Sequence, residues 1–230
     1  MPFRAKQEGC ARKCDRGHRP VTRMKRDKRL LFGPLAAAIL TCGVVGLAFM
    51  VPGYSHVRQT VSEIGEMDSP ARISFSIMLC CVAASLLVFA WGVRAVSIKA
   101  GHGRLAAYLI GSMALSAAGV GLFPFPHPLH NVFGESELIC YQAPLALALS
   151  WRSDSRAGRL VSFSWILFAL IWISIVLNLT SLDRHGPIWE YMKPIYGLVQ
   201  RSLFAAWYSW CAVVGVLLWR RDRRSPVPTA

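Results

Sequence analysis

Apolar stretches close to twenty residues long recur along this chain, and no other feature restricts its fold as tightly. A helix rises about 1.5 Å per residue, so a run of that length crosses roughly 30 Å of hydrocarbon. Six such runs can be read: Leu31 to Val51, Ile73 to Val93, Leu105 to Phe123, Leu138 to Trp151, Leu160 to Leu179, and Tyr196 to Trp219. The fourth is the shortest, with only fourteen residues and both Gln142 and Pro144 inside it, and it reaches spanning length only if Phe133 to Glu137 join it. Backbone polar groups in lipid must be satisfied within the segment, and the alternating ten-residue strands of a barrel are missing. The expected fold is all-α, a bundle of six transmembrane helices over residues 31–219 between basic tails at 1–30 and 220–230.

Charge fixes the expected orientation. The 26 Lys and Arg against 12 Asp and Glu give +14, which would suggest nucleic acid if spread over a folded surface. Instead residues 1–30 carry +8 and Arg220 to Arg224 add +3. With a cytoplasmic N-terminus, residues 94–104 and 152–159 are also inner loops, and 21 of the 26 Lys and Arg lie inside. The positive-inside rule then holds in every loop and places both termini in the cytoplasm, as for a multi-pass protein of the inner membrane. Nucleic acid drops out as a partner; the lipid bilayer takes its place. The first run is too long and lies too far in for a cleaved leader, and further spans follow it. Met24 opens a plausible alternative start, and Cys10, Cys14 and His18 lack a fourth metal ligand. Cys42, Cys80, Cys81, Cys140 and Cys211 fall in spans, as small apolar residues do. Trp91, Trp151 and Trp219 sit at the depth of an aromatic belt.

The outer loops then hold seven of the twelve acids and four of the six histidines. In the first, His56, Gln59, Glu63 and Glu66 share one helical face opposite Val57, Val61 and Ile64, so residues 55–66 are expected to form a short interfacial amphipathic helix. Ser69 and Pro70 read as the cap and first position of the second span. In the second, prolines alternate with Phe123, Phe125 and His127, which forces an extended entry before helix resumes near Leu129. His127 and His130 can thus converge, and with Glu63 or Asp68 they could hold zinc with one open position or act without metal as an acid/base pair. The plain alternative is that these groups only meet water and backbone at the membrane surface.

Arg201 lies about 8 Å inside the last span by helix rise. A cation there is costly unless it snorkels or pairs, and Glu63 or Glu137 is the expected partner. Gln142 and Asn178 are expected to join helices by hydrogen bonds. GxxxxGK[ST], HExxH, GxSxG and GxGxxG motifs are missing, so nucleotide hydrolysis and the common soluble hydrolase arrangements have no support.

The segments TVSEIGEMDSPARISFSIM, GVGLFPFP, LHNVFG and YGLVQRSLFAAWYSW resemble a bacterial and archaeal membrane family catalogued as domain of unknown function 998, over roughly residues 33–220. Its most specific pieces fall on Ser62, Glu63 and Gly65, on Phe123, Pro124, His130 and Asn131, and on Gln200 and Arg201, where Gln200 stands in place of the family's frequent Glu. The resemblance implies a six-helix membrane protein without an established activity. A looser similarity in residue types links the chain to membrane hydrolases of the alkaline ceramidase kind. The leading expectation is an outward-facing polar site. In it Glu63, His127 and His130 are catalytic or zinc-holding, and Arg201, Ser62, Asn131 and Asp68 bind a lipid-like or anionic amphiphile for hydrolysis. The rival readings are a small-solute permease and a non-catalytic membrane scaffold.

Overall fold

The computed structural model describes residues 27–181 and 185–221. Cys10, Cys14, His18, Met24, Asp183, Arg184 and the residues from Asp222 onward lie outside the described residues. Within them the chain is helical, with α1 at Phe32–Ala48, α2 at Arg72–Lys99, α3 at Leu105–Leu122, α4 at Pro128–Cys140, α5 at Ala143–Trp151, α6 at Gly158–Thr180, α7 at Pro187–Met192 and α8 at Tyr196–Arg221. Five stretches are long and apolar enough to cross a membrane: Lys28–Ala48, Arg72–Lys99, Leu105–Leu122, Ser155–Thr180 and Pro187–Arg221.

The expected fourth span is instead two helices, α4 and α5, interrupted at Tyr141 and Gln142. Pro144 explains the interruption: it has no N–H to donate to the carbonyl four residues back, and its ring crowds that carbonyl. The two pieces also pack differently. α4 lies along α3, whereas α5 lies along both α3 and α6. The remaining neighbours follow α1 with α2, α2 with α3, α6 with α8, and α8 with α1, so the bundle closes through α5.

Small residues allow the closest approaches. A Cβ on Gly33 would sit 2.5 Å from the Cys211 carbonyl oxygen, and one on Gly215 would sit 2.4 Å from the Leu30 oxygen, so α1 and α8 meet backbone to backbone. Phe133 of α4 lies flat on Gly119 of α3, and the Ser116 and Ser136 hydroxyls are 2.7 Å apart across the same pair. Trp207, Trp210, Phe89, Leu86 and Ile110 are fully buried at the centre. Ile73, Ile77, Leu115, Ile166, Ile173 and Val176 point outward, the apolar exterior that lipid requires. Trp151 departs from the belt expected of its depth: it is buried and lies against the His102 ring at 4.0 Å, while Trp91 remains exposed.

Asn178 joins two helices as expected, donating from Nδ2 to Val199 O of α8, but Gln142 donates back to Leu138 O of its own neighbourhood. Asp154 binds Arg221 and lies 3.4 Å from His102. The α2–α3 connection, the α5–α6 connection and the end of α8 therefore share one end of the bundle. Asp27 and Arg29 pair before α1, with Arg29 against Gly92 of α2.

Candidate functional site

At the opposite end, residues 52–66 fold over the start of α8. The expected amphipathic helix at 55–66 does not form; the segment is a set of turns ending in a 3-10 turn, Ser62–Gly65. Gln59 N still donates to Ser55 O at 2.8 Å, but other backbone groups that a helix would use are taken by side chains or by α8. Gln59 Oε1 accepts from Ser55 N at 2.8 Å, and Tyr54 donates from its hydroxyl to Thr60 O at 2.6 Å. Arg201 Nη1 donates to His56 O at 2.8 Å, to Gln59 O at 2.7 Å and to Gly197 O at 2.9 Å, while Nη2 donates to the Tyr54 hydroxyl at 2.5 Å. Gly197 makes this possible, because a Cβ there would lie 2.4 Å from Gln59 O and 2.6 Å from His56 O. Ser69 also acts two residues earlier than expected: it donates to Ile64 O, and α2 begins at Arg72.

Arg201 therefore has a different partner set from the expected one. Among the described residues no carboxylate comes within 4.0 Å of it, and carbonyl dipoles hold the guanidinium instead. Its Nε is buried with no hydrogen-bond partner among them. Burial, and then the Arg201 charge, hold His56 below the usual histidine range. Burial pushes the Tyr54 phenol up, against the pull of Arg201.

Glu63 turns back on its own loop. Oε1 accepts from Thr60 N and Thr60 Oγ1, both at 2.9 Å, and Oε2 accepts from Gln59 Nε2 at 3.0 Å. Gln200 accepts from Val61 N at 2.7 Å, so its amide does locally what a carboxylate acceptor would do at that position.

Ser62 and His130 are brought together from positions 68 residues apart. His130 is buried at the first turn of α4, with Nδ1 2.8 Å from Phe123 O and Nε2 3.2 Å from Ser62 Oγ. A carbonyl only accepts, so Nδ1 carries the proton, and Nε2 of the neutral ring accepts from the serine hydroxyl. This is a hydroxyl beside a base that a third group orients. Met67 N donates to Phe125 O at 2.9 Å and ties the two loops together beside the pair.

The other expected members stand apart from this pair. His127 caps α4, its Nδ1 accepting from Leu129 N at 3.2 Å while the ring lies on Phe123. Asn131 and Asp68 are exposed. No group of three or more His, Cys, Asp or Glu side chains is gathered to hold a metal among the described residues. Of the donors expected for zinc, His130 has both ring nitrogens engaged and Glu63 both carboxylate oxygens, which leaves His127 Nε2 and the exposed Asp68 carboxylate, too few to hold the ion. Tyr54, Thr60 and the Phe123 carbonyl are participants that sequence reasoning missed. The first two carry no motif, and a backbone acceptor has no residue-type signal at all.

These features define a class, an integral α-helical membrane protein with a folded polar cap at one end of its bundle. Within that class the chain belongs to the family described as Protein of unknown function (DUF998), whose model matches residues 34–217. No curated protein and no solved structure matches the chain.

Proposed function

We propose that the protein is a six-span hydrolase of the inner membrane, with both termini cytoplasmic, acting at the outer face on an ester-linked, lipid-like substrate. The orientation rests on the Lys and Arg distribution, and α4 and α5 together make the sixth crossing. The observation that carries the activity is the Ser62–His130–Phe123 arrangement, with its 3.2 Å and 2.8 Å contacts.

In this mechanism Ser62 Oγ attacks the ester carbonyl carbon as its proton passes to His130 Nε2. The Nδ1–H bond to Phe123 O keeps Nε2 free to accept and spreads the charge of the imidazolium. Collapse of the tetrahedral adduct breaks the ester C–O bond, and His130 returns the proton to the departing alkoxide. Water, deprotonated by the same nitrogen, then attacks the acyl carbon; the bond from that carbon to Ser62 Oγ breaks, His130 returns the proton to Oγ, and the acid departs. Arg201 and Glu63 act as positioning residues that hold residues 54–63, and with them Ser62, against α8.

A fluorophosphonate probe applied to the full chain in nanodiscs tests this directly. Wild type is expected to be labelled at Ser62, Ser62→Ala not at all, and His130→Ala at a rate lower by about 100-fold or more. An unlabelled wild type, or labelling that survives Ser62→Ala, overturns the proposal.

A further inference from the structure

α4 carries a second set of groups that the hydrolytic reading does not use. His130, Gly134, Glu137 and Tyr141 recur at spacings of three and four and share one face of the helix. Glu137 lies seven residues beyond His130, about 10 Å deeper along the axis. Its Oε2 accepts from the Tyr141 hydroxyl at 2.8 Å, and no cation lies within 4.0 Å of it among the described residues. Between the two levels there is open space: a Cβ on Gly134 would meet nothing within 4 Å.

The surroundings are asymmetric. Among the described helices α3 is the one packed along α4; on the other side Ser62 meets His130 at the first turn and the Tyr141 ring meets Trp207 of α8 edge-on at 6.4 Å at the last, with the turn between them open at Gly134. Below that point α5 closes the bundle, with Ala143, Leu147, Ala148 and Trp151 buried against its neighbours. The titratable groups facing Glu137 are Tyr141 and Cys140 from α4 and its end, and Tyr208 of α8 with Cys211 behind it; α3 contributes the Ser116 hydroxyl and no charge. Trp207 Nε1 is buried beside this group with no hydrogen-bond partner among the described residues.

From this geometry we infer that Glu137 is an intramembrane proton-binding site, reached from the outer face along the Gly134 side of α4 and closed toward the cytoplasm by α5. An acid in a membrane bundle without a countercharge is expensive as a carboxylate and cheap as a carboxylic acid, so its natural ligand is a cation. A hard metal cation asks for about six oxygen ligands and charge to match, and here Glu137 is the one carboxylate, with its hydrogen bond from the Tyr141 hydroxyl in place, which selects the proton. On protonation the carboxyl gains a donor and the Tyr141 contact changes character beside the break between α4 and α5. The inference does not depend on Ser62.

The test is an infrared pH titration of the full chain in phosphatidylcholine/phosphatidylglycerol nanodiscs. A component of the protonated-carboxyl band, isolated by subtracting the Glu137→Gln spectrum so that the other carboxyls cancel, should grow on acidification with the same midpoint in sodium chloride and choline chloride. Glu137→Gln should lack that component alone and Glu137→Asp should shift it. Gly134→Leu, which fills the open space, should keep the band and slow its shift on transfer to D2O. Ser62→Ala should lose fluorophosphonate labelling and keep the band, so failure of the hydrolytic reading and failure of this one are separable. A band unchanged in both Glu137 variants, that component absent from wild type, or a midpoint that moves with sodium overturns the inference.

Discussion

The two ends of the bundle are held together by different chemistry. At the end bearing residues 52–66, one guanidinium binds three backbone carbonyls and a phenol, and no carboxylate approaches it among the described residues. At the other end Asp154 gathers Arg221, His102 and the Arg156 N–H, with Arg221 lying over the Trp151 ring at 5.0 Å. An ion pair between partly exposed groups such as Asp154 and Arg221 weakens in salt and with titration. A cation solvated by buried carbonyls depends on the shape of the backbone around it and much less on either. The difference shows that positive-inside sorting and structural use of charge are separate matters: the end rich in Lys and Arg uses them in pairs, and the end poor in them organises a whole loop around one.

The contrast can be broken by mutation. Arg201→Ala strands the carbonyls of His56, Gln59 and Gly197 and should cost about 3 kcal/mol or more, read as a lowered thermal midpoint in nanodiscs. Arg201→Lys keeps the charge without the fork and should recover only part of that loss. Gly197→Ala pushes a methyl into the Gln59 and His56 oxygens and should cost about 2 kcal/mol, with increased proteolysis between residues 52 and 66 as the local readout. At the other end Asp154→Asn should cost about 1 kcal/mol at low salt and less at high salt. A large salt dependence in the Arg201 variants, or none in the Asp154 variant, would remove the distinction.

Acid sharpens the same comparison with the smallest effect. Burial works against the Asp154 charge, but the Arg156 N–H, Arg221 and His102 outweigh it and hold the carboxyl below its usual range. A depressed folded-state value means that its contribution is present above the unfolded value of about 4 and is lost as pH falls through the folded one. Melting curves should therefore show an acid-side loss that Asp154→Asn removes.

Five of the six expected long helices were legible in place because period and length are local properties of the chain; the remaining one is divided into α4 and α5. Pro144 stood in plain view, yet whether a proline kinks a helix or divides it depends on what the two halves pack against, here α3 alone and α3 with α6. The loop at 55–66 misled because amphipathic spacing counts side chains and not the claims of Gln59, Tyr54 and Arg201 on the backbone. Of the candidate site, Ser62 and His130 were placed in one polar site in different roles, and no local signal indicated their direct contact across 68 residues. The expected ion pair of Arg201 failed for a related reason: carbonyl oxygens are acceptors everywhere and are invisible as letters.

If α4 and α5 together make a crossing, as proposed, their division also makes the molecule unequal toward the two sheets of lipid around it. In the proposed orientation, the inner leaflet meets a continuous ring of helices completed by α5, while the outer leaflet meets a ring with α4 set against α3 on one side. An acyl chain diffusing in the outer leaflet can lie alongside α4 as a further packing element, and one in the inner leaflet finds no equivalent berth. Changes in the thickness or lateral pressure of the outer leaflet would thus bear directly on the helix that carries His130 and Glu137.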